Sequence, residues 1–318
     1  MIKLDVRRRF DPQMALAVAE SQKLYAAGPP AAADDLTAQR DAYNRERAFW
    51  NAVKPPLPAV EALTIPGPGG AIACRLYRPS EAGLLPALLY LHGGGWVLGN
   101  LDTHDRIMRL LAQKSGALAL GVDYRLAPEH KFPAAHEDAL AALRHAARHG
   151  REWGIDGSRL AIGGDSAGAN LSLASCLCLD PAERRAVKIQ LLYYGAFGLN
   201  DSASMRAYGN ELDGLTSADM ARYRSQLIRT PADLQDPRLD NLSADLRGLP
   251  PAFIAAAELD PLYDDSRALS ELMSEAGVAN TLTVYPGVLH GFLHYSCLMD
   301  VAMRALDESS AALKRAFV

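Results

Sequence analysis

The residue types that acyl transfer requires recur here in recognisable surroundings. Ser166 sits in Gly164-Asp165-Ser166-Ala167-Gly168, after the β-like run Leu160-Ala161-Ile162 and before a helix-like run from Ala169 onward. That strand–turn–helix context is what a G-x-S-x-G nucleophile elbow needs. The turn strains the serine, small neighbours avoid a clash, and the hydroxyl is left exposed at the sheet edge. The helix starts at the serine, so its positive end favours developing negative charge. His92-Gly93-Gly94-Gly95-Trp96 directly follows the apolar run Ala87 to Leu91. Successive glycines free the backbone to turn N–H groups towards one point, as an oxyanion requires. The spacing fits neither G-x-G-x-x-G nor the P-loop, which argues against phosphate binding.

A serine hydroxyl is a weak nucleophile without an adjacent base. Of eight histidines, only His290 and His294 follow the elbow. Around such an elbow the chain order is serine, acid, histidine. His290 lies in a loop after the run Thr281 to Tyr285, where the base belongs; His294 is expected to pack or to face solvent. The acid should follow the run Ala252 to Ala257, where Glu258, Asp260, Asp264 and Asp265 offer carboxylates. Asp260 stands at the strand end with Pro261 fixing the turn, whereas Asp264 and Asp265 read as a helix start. Asp260 is therefore expected to hold the His290 tautomer and support its imidazolium.

Other polar residues take structural readings. His92 is expected to brace its loop, and Asp165 to serve beside the elbow. Tyr124, Arg125 and Glu129 read as a buried polar brace beneath the site, and Asp102 as the N-cap of the helix Asp102 to Ser115. His145 and His149 lie four apart on a helix but lack the H-E-x-x-H pattern, so a solvated face is expected and no metal site.

These residues need a framework. With 318 residues, 49% hydrophobic and 22% charged, the chain is too apolar to be disordered and fits one large α/β unit. Short apolar runs alternate with helical patterns from residue 62 onward. The runs are Ala62 to Ile65, Ala73 to Tyr77, Ala87 to Leu91, Ala117 to Val122, Leu160 to Ile162, Ile189 to Tyr194, Ala252 to Ala257 and Thr281 to Tyr285. Alternation of this kind predicts an α/β fold with a mostly parallel sheet of about eight strands, covered on both faces. Residues 1 to about 55 are helical and polar. Pro12 to Ala26 and Leu36 to Trp50 are separated by Gly28, Pro29 and Pro30. Asn200 to Leu246 is too long for a simple crossover and reads as a lid, with Ser217 to Leu227 helical.

Charge and cysteine content exclude further classes. Lys+Arg 33 against Asp+Glu 37 gives −4, leaving no positive excess to hold nucleic acid or an anionic membrane. Cys74, Cys176, Cys178 and Cys297 form no zinc set and read as buried free thiols in a reducing cytosol. Arg7 to Arg9 are followed by no apolar h-region, so no signal peptide is read. The longest apolar stretch, Leu171 to Leu179, is too short to span a bilayer. A cytoplasmic location is expected, and the oligomeric state is left open, a homo-oligomer included.

In combination, HGGGW at 92–96, GDSAG at 164–168, Asp260-Pro261-Leu262 and His290-Gly291-Phe292 resemble the hormone-sensitive-lipase-like branch of the α/β-hydrolases. Tyr124 to Glu129 (YRLAPE) is also similar to a segment of that branch. The resemblance extends over nearly the whole chain, through Tyr90 to Ala112, Asp213 to Thr216 and Leu289 to Tyr295. It implies one α/β-hydrolase domain over 1–318, with a helical cap from about 1–55 and about 198–246. It implies hydrolysis of short-chain acyl esters, acetyl to butyryl, without metal or organic cofactor. Ser166 would be the nucleophile, His290 the base and Asp260 the acid. The oxyanion donors would be the N–H groups of Gly94, Gly95 and Ala167, with Gly93 shaping the loop. Trp96 stands where a Phe is common, which implies local repacking only. The same triad would serve an amidase, a lactonase or a peptidase. A non-catalytic ligand-binding protein, or a cap surface that binds a macromolecule, are readings of other classes. The retained base argues against the first of these.

Overall fold

The computed structural model describes residues 4–29, 32, 35–81, 83–212 and 214–318; Met1, Pro30 and Asp213 lie outside them. Two helices open the chain, α1 (Pro12–Ala26) and α2 (Leu36–Trp50), each with an aspartate N-cap, Asp11 and Asp35. Strands β1 (Ala59–Gly67), β2 (Gly70–Arg78) and β3 (Leu85–Leu91) follow. Helix α3 (Asp105–Ser115), strand β4 (Leu118–Asp123), helix α4 (Ala134–His149) and strand β5 (Ile155–Asp165) come next. Helices α5 (Ala167–Leu177) and α6 (Pro181–Arg184) precede strand β6 (Val187–Tyr193). The long insertion carries α7 (Ala203–Tyr208) and α8 (Ser217–Leu227). The chain closes with β7 (Ala252–Ala257), α9 (Tyr263–Glu275), β8 (Asn280–Tyr285) and α10 (Asp300–Ala316).

The eight strands form one sheet in the order β1-β2-β4-β3-β5-β6-β7-β8. Pairing is antiparallel for β1–β2 and β2–β4 and parallel from β4 through β8. The expected α/β-hydrolase architecture is therefore present, with strand ends shifted by a few residues. After β3 the chain winds one way to β4, then crosses back to β5. The strand order reverses between β3 and β5, and open α/β sheets bind ligands at the carboxyl ends beside such a reversal.

Strand β3 shows why the sheet is covered twice. Leu89 and Leu91 join a core with α4 and α5, while Leu88 and Tyr90 join a second core with α3 and α10. Side chains alternate in direction along a strand, so a continuous apolar run needs apolar partners on both faces. Each fully buried leucine contributes about 1.5–3 kcal/mol. Helix α5 is buried almost throughout, serines included; Ser172 and Ser175 donate to the Gly168 and Leu171 carbonyls at 2.7 Å. That back-bonding satisfies the hydroxyls inside the core.

Some expectations are corrected. Asp102 does not cap α3, which starts at Asp105. Asn100 takes the Asp102 and Thr103 N–H groups and delays the helix, while Asn51 at the end of α2 accepts from Arg106 N at 2.7 Å. Asp102 instead pairs with Arg75 at 2.8 Å. Cys74 and Cys176 are buried, but Cys178 and Cys297 are exposed, because Cys178 lies past the last turn of α5 and Cys297 in a turn before α10. Glu129 is exposed rather than buried and grips Arg40 of α2 at 2.6 Å. Arg125 is half-buried against Asp138 at 2.8 Å. Of the YRLAPE residues read as a buried brace, Tyr124 alone is buried.

The base of the insertion is tied to the first turn of α9. Asp265 is 1% exposed, and its Oδ1 accepts from the N–H groups of Phe197, Gly198 and Leu199 at 2.8, 3.0 and 3.2 Å. Burial pushes its carboxyl up to about 7 against these hydrogen bonds, with the Asp260 charge adding to the shift. Folded Asp265 thus holds its proton to higher pH than the unfolded chain does. Its contribution to stability is largest near pH 4 and falls as pH rises towards 7. The thermal midpoint of wild type minus that of Asp265→Asn is expected to be larger at pH 5 than at pH 8. An equal difference at both pH values, read by calorimetry, would contradict this.

Candidate active site

Ser166 connects β5 directly to α5 and adopts φ 54°, ψ −118°. A non-glycine residue there costs about 1–3 kcal/mol and persists only where the surroundings enforce it. They do so through close approach. A Cβ on Gly164 would lie 2.2 Å from the Leu91 carbonyl oxygen, and one on Gly168 only 1.9 Å from it. The Ser166 N–H donates to the Tyr193 carbonyl at 2.9 Å, which ties the elbow to β6. Leu91 and Gly164 are register partners, so the loop after β3 and the elbow after β5 begin side by side.

The glycine loop is locked from below by Asp165. Its Oδ1 accepts from the Tyr90 hydroxyl at 2.9 Å and from Gly93 N–H at 3.0 Å. His104 Nε2 lies 3.3 Å from Oδ1, and His294 Nε2 4.0 Å from Oδ2. Burial alone would raise the Asp165 carboxyl, but the His104 ring, aided by His294 and Tyr90, overrides it and holds the group well below the usual carboxylate range. His104, Asp165 and His294 bring ligand atoms within 4.8 Å of one another, a grouping that could hold a metal ion, though Asp165 already spends Oδ1 on Tyr90 and Gly93. Gly93 N–H being committed, the next two glycines are left to aim inward. Gly94 has φ 125°, and a Cβ there would meet the Leu98 carbonyl at 2.2 Å. Among the described residues no hydrogen bond occupies the N–H of Gly94, Gly95 or Ala167.

His92 behaves as a brace. Burial, then the nearby His104, pull its pKa down to about 3, so the ring is neutral. Nδ1–H donates to Gly93 O at 2.9 Å, and the Tyr124 hydroxyl donates to His92 O at 2.7 Å beneath a stacked ring pair. Trp96 takes φ 62°, a strain absent from the sequence reading of that position.

The carboxylates after β7 go to separate partners. Glu258 accepts from Arg9 and from Gly287 N–H. Asp264 accepts from Ser204 N–H at 2.8 Å, and Asp265 holds 197–199. Asp260, fully buried, accepts from Leu262 N–H at 2.8 Å through Oδ1 and from His290 Nδ1 at 2.7 Å through Oδ2. With Nδ1–H directed at the carboxylate, Nε2 is the basic nitrogen of His290. His294 is buried rather than solvent-facing, beside Asp165; burial, then Arg47, hold its pKa well below the usual range.

Ser166 and His290 share one cavity of about 760 Å³ with Gly94 and Gly95. Its outer wall comes from α1 and α2 (Tyr25, Tyr43, Arg47) and from the insertion (Glu211, Leu215, Arg222, Tyr223). Sequence reasoning anticipated those segments but not those side chains, since Tyr and Arg on polar helices carry no distinguishing pattern. It also missed Tyr194. This residue leaves β6 at φ 37° and sets its ring centroid 4.9 Å from that of His290 in a T-shaped contact. His145 and His149 on α4 do not line this cavity; the solvated face read for them holds for His149 alone, because His145 stacks on Trp153 with its side chain 15% exposed. Among the described residues no helix is long and apolar enough to cross a membrane.

Known proteins share this fold and sequence. Residues 88–294 match the alpha/beta hydrolase fold family. Acetyl esterases of Salmonella paratyphi A and Salmonella agona are each 42% identical over 286 residues, 89% of this chain and 88% of theirs. A hyperthermophilic esterase from the archaeon Pyrobaculum calidifontis superimposes with a TM-score of 0.90 at 36% identity, covering 96% of this chain and 98% of that one. A thermostable esterase from Pseudomonas putida does so at 0.88 and 30%, over 98% of each. The chain belongs to the α/β-hydrolase fold family, in its hormone-sensitive-lipase-like branch.

The close approach at the elbow is testable. Gly168→Ala is expected to lower stability by about 2–4 kcal/mol, because a methyl group must displace backbone. Gly83→Ala, with nothing within 4 Å, should change it by less than about 0.5 kcal/mol. Equal denaturation midpoints for the two variants would refute the argument.

Proposed function

We propose that this carboxylesterase cleaves short-chain acyl esters, acetyl to butyryl, with Ser166 as nucleophile, His290 as general base and Asp260 as the acid that orients it. Its relatives named as acetyl esterases and esterases support the reaction class. The observation that carries the residue roles is convergence. A strained serine, a histidine bonded to a buried aspartate and two inward-turned glycines meet in one cavity at the carboxyl ends of β3, β5, β7 and β8.

The reaction runs in two halves. His290 Nε2 takes the Ser166 proton as Oγ bonds to the ester carbonyl carbon. The carbonyl oxygen becomes an oxyanion and receives the N–H groups of Gly94, Gly95 and Ala167. Loss of one such donor typically costs about 10²–10³ in rate. The intermediate collapses, the C–O bond to the alcohol breaks, and His290 protonates the leaving alkoxide. Water then attacks the acyl-serine with His290 again as base, releasing the acid and restoring the hydroxyl. Asp260 stabilises the transient imidazolium without taking its proton.

The helices up to about residue 55 and the insertion from about 198 to 246 act together as the cap over this cavity. The wall mixes tyrosine, arginine, glutamate and glutamine with Ala42, Leu98, Leu212 and Leu215, and its scattered polar groups suit a compact ester better than a long alkyl chain. The free cysteines fit the reducing cytoplasm, where we place the enzyme.

Ser166→Ala is expected to abolish hydrolysis of p-nitrophenyl acetate almost completely and to prevent labelling by an organophosphate. Retention of most turnover would overturn the assignment. Across p-nitrophenyl esters of increasing acyl length, kcat/KM should peak between C2 and C4, and the matching anilide should be hydrolysed far more slowly. A maximum at long chains would sink the short-acyl reading.

A further inference from the structure

The three glycines of the loop after β3 are held by unequal means. Gly93 N–H is bonded to Asp165, and the Gly93 carbonyl accepts from His92 Nδ1 at 2.9 Å. The Gly94 carbonyl accepts from the N–H groups of Val97 and Leu98 at 3.1 and 2.8 Å. Gly95 makes no hydrogen bond with another described residue, through either its N–H or its carbonyl. It stands at φ 62°, and glycine has more backbone freedom than any other residue. A donor that stabilises an oxyanion has to be in place before the charge develops. Hydrogen bonding leaves that requirement unmet at Gly95.

A side chain of the insertion meets it. A Cβ built on Gly95 would lie 2.8 Å from both Cγ and Cδ1 of Tyr223 and 3.1 Å from Cδ2. Near-equal distances to three ring carbons put that point above the ring plane. Tyr223 therefore turns its ring face to Gly95 and fills the space a side chain would take. The ring lines the same cavity as Ser166 and His290. Its own position is fixed by packing, against the cluster of Met205, Leu215 and Leu262 and against the core that includes Trp96 and Leu98. Helix α8, which carries it, is tied down at both ends. Thr216 and Asp219 cap its start reciprocally. At its end the Leu227 carbonyl accepts from Phe132 N–H and the Ile228 carbonyl from Lys131 Nζ, each at 2.8 Å. Arg224 adds a bond to the Leu199 carbonyl at 2.9 Å.

We infer that Tyr223 is a positioning residue for the oxyanion site: its ring face holds the Gly95 peptide with the N–H directed into the cavity. The insertion thereby completes the site as well as walling it. This rests on the reading of Gly95 as an oxyanion donor given above. Ring carbons make the contact, so the phenol hydroxyl is dispensable for it. The benefit is realised in the transition state, where the carbonyl oxygen carries its charge.

The test measures kcat and KM for p-nitrophenyl acetate beside the inhibition constants of a trifluoromethyl ketone and the matching methyl ketone. The trifluoromethyl ketone takes Ser166 Oγ at its carbonyl carbon, the hydroxyl proton passes to His290, and the ketone oxygen becomes an oxyanion. Tyr223→Phe should keep kcat within about twofold of wild type. Tyr223→Ala should lower kcat about ten- to a hundredfold, less than outright loss of a donor, with KM little changed. It should weaken the trifluoromethyl ketone, relative to the methyl ketone, by a similar factor. The acid limb of the pH profile should stay in place, since His290 and Asp260 are untouched. Tyr223→Val keeps an apolar side chain for Leu215; it should show the same split, and it decides the matter if the alanine variant fails to fold. An undiminished kcat and ketone ratio overturns the proposal. So does a raised KM at unchanged kcat, or a phenylalanine variant as impaired as the alanine one. Failure of the underlying oxyanion reading looks different, since wild type would then hold both ketones equally tightly.

Discussion

The carbonyl oxygen of Leu91 comes so near to Gly164 and Gly168 that neither could carry a side chain. This contact between two backbones is what the site depends on. It brings the loop that turns N–H groups inward against the turn that displays Ser166. Both loops leave neighbouring strands at the point where the sheet reverses its order, so no long excursion is needed to join them. The strain at Ser166 follows from the same crowding.

A single carboxylate keeps the two loops in register. Asp165 belongs to the elbow by sequence but bonds to Gly93 of the neighbouring loop and to Tyr90 of β3. Deep in a low-dielectric interior, such an anion needs partners. His104 and His294 stand around it, and its charge is retained. Committing Gly93 to this bond determines which glycines remain to face a substrate. The second acid, Asp260, works differently. It accepts from Leu262 N–H and holds one ring nitrogen of His290. One anion thus sets backbone geometry and the other sets a tautomer.

The N-terminal helices and the insertion are anchored by specific bonds as well as by packing. Arg40 reaches the loop after Trp96, Asn51 caps α3, and Asp265 gathers the start of the insertion. Such anchors add to the burial of Met14, Ala17 and Val18 of α1 and Trp50 of α2 in the core beside α3 and α10. They also place polar side chains, Tyr43 and Arg47 among them, in the wall of the cavity that holds Ser166 and His290. The carboxyl ends of the strands supply Ser166 and His290, and the N-terminal helices and the insertion supply the opposite wall of the cavity.

Much of this was legible in the residue order. Both opening helices, α8 and β7 fall where periodicity and flanking prolines put them, because local spacing and breakers act within a few residues. That Ser166, Asp260 and His290 stand in the turns after β5, β7 and β8 was legible too, since a glycine-bounded turn and the order of residues along the chain are properties of the linear string. Folding alone decided the rest. Asn51 capping α3 in place of Asp102, Arg9 occupying Glu258 and the ring of Tyr194 against His290 all join residues distant in sequence. A hydrogen bond or a ring contact is set by separation in space to within tenths of an ångström, and that separation exists only after the sheet and both cap segments have packed.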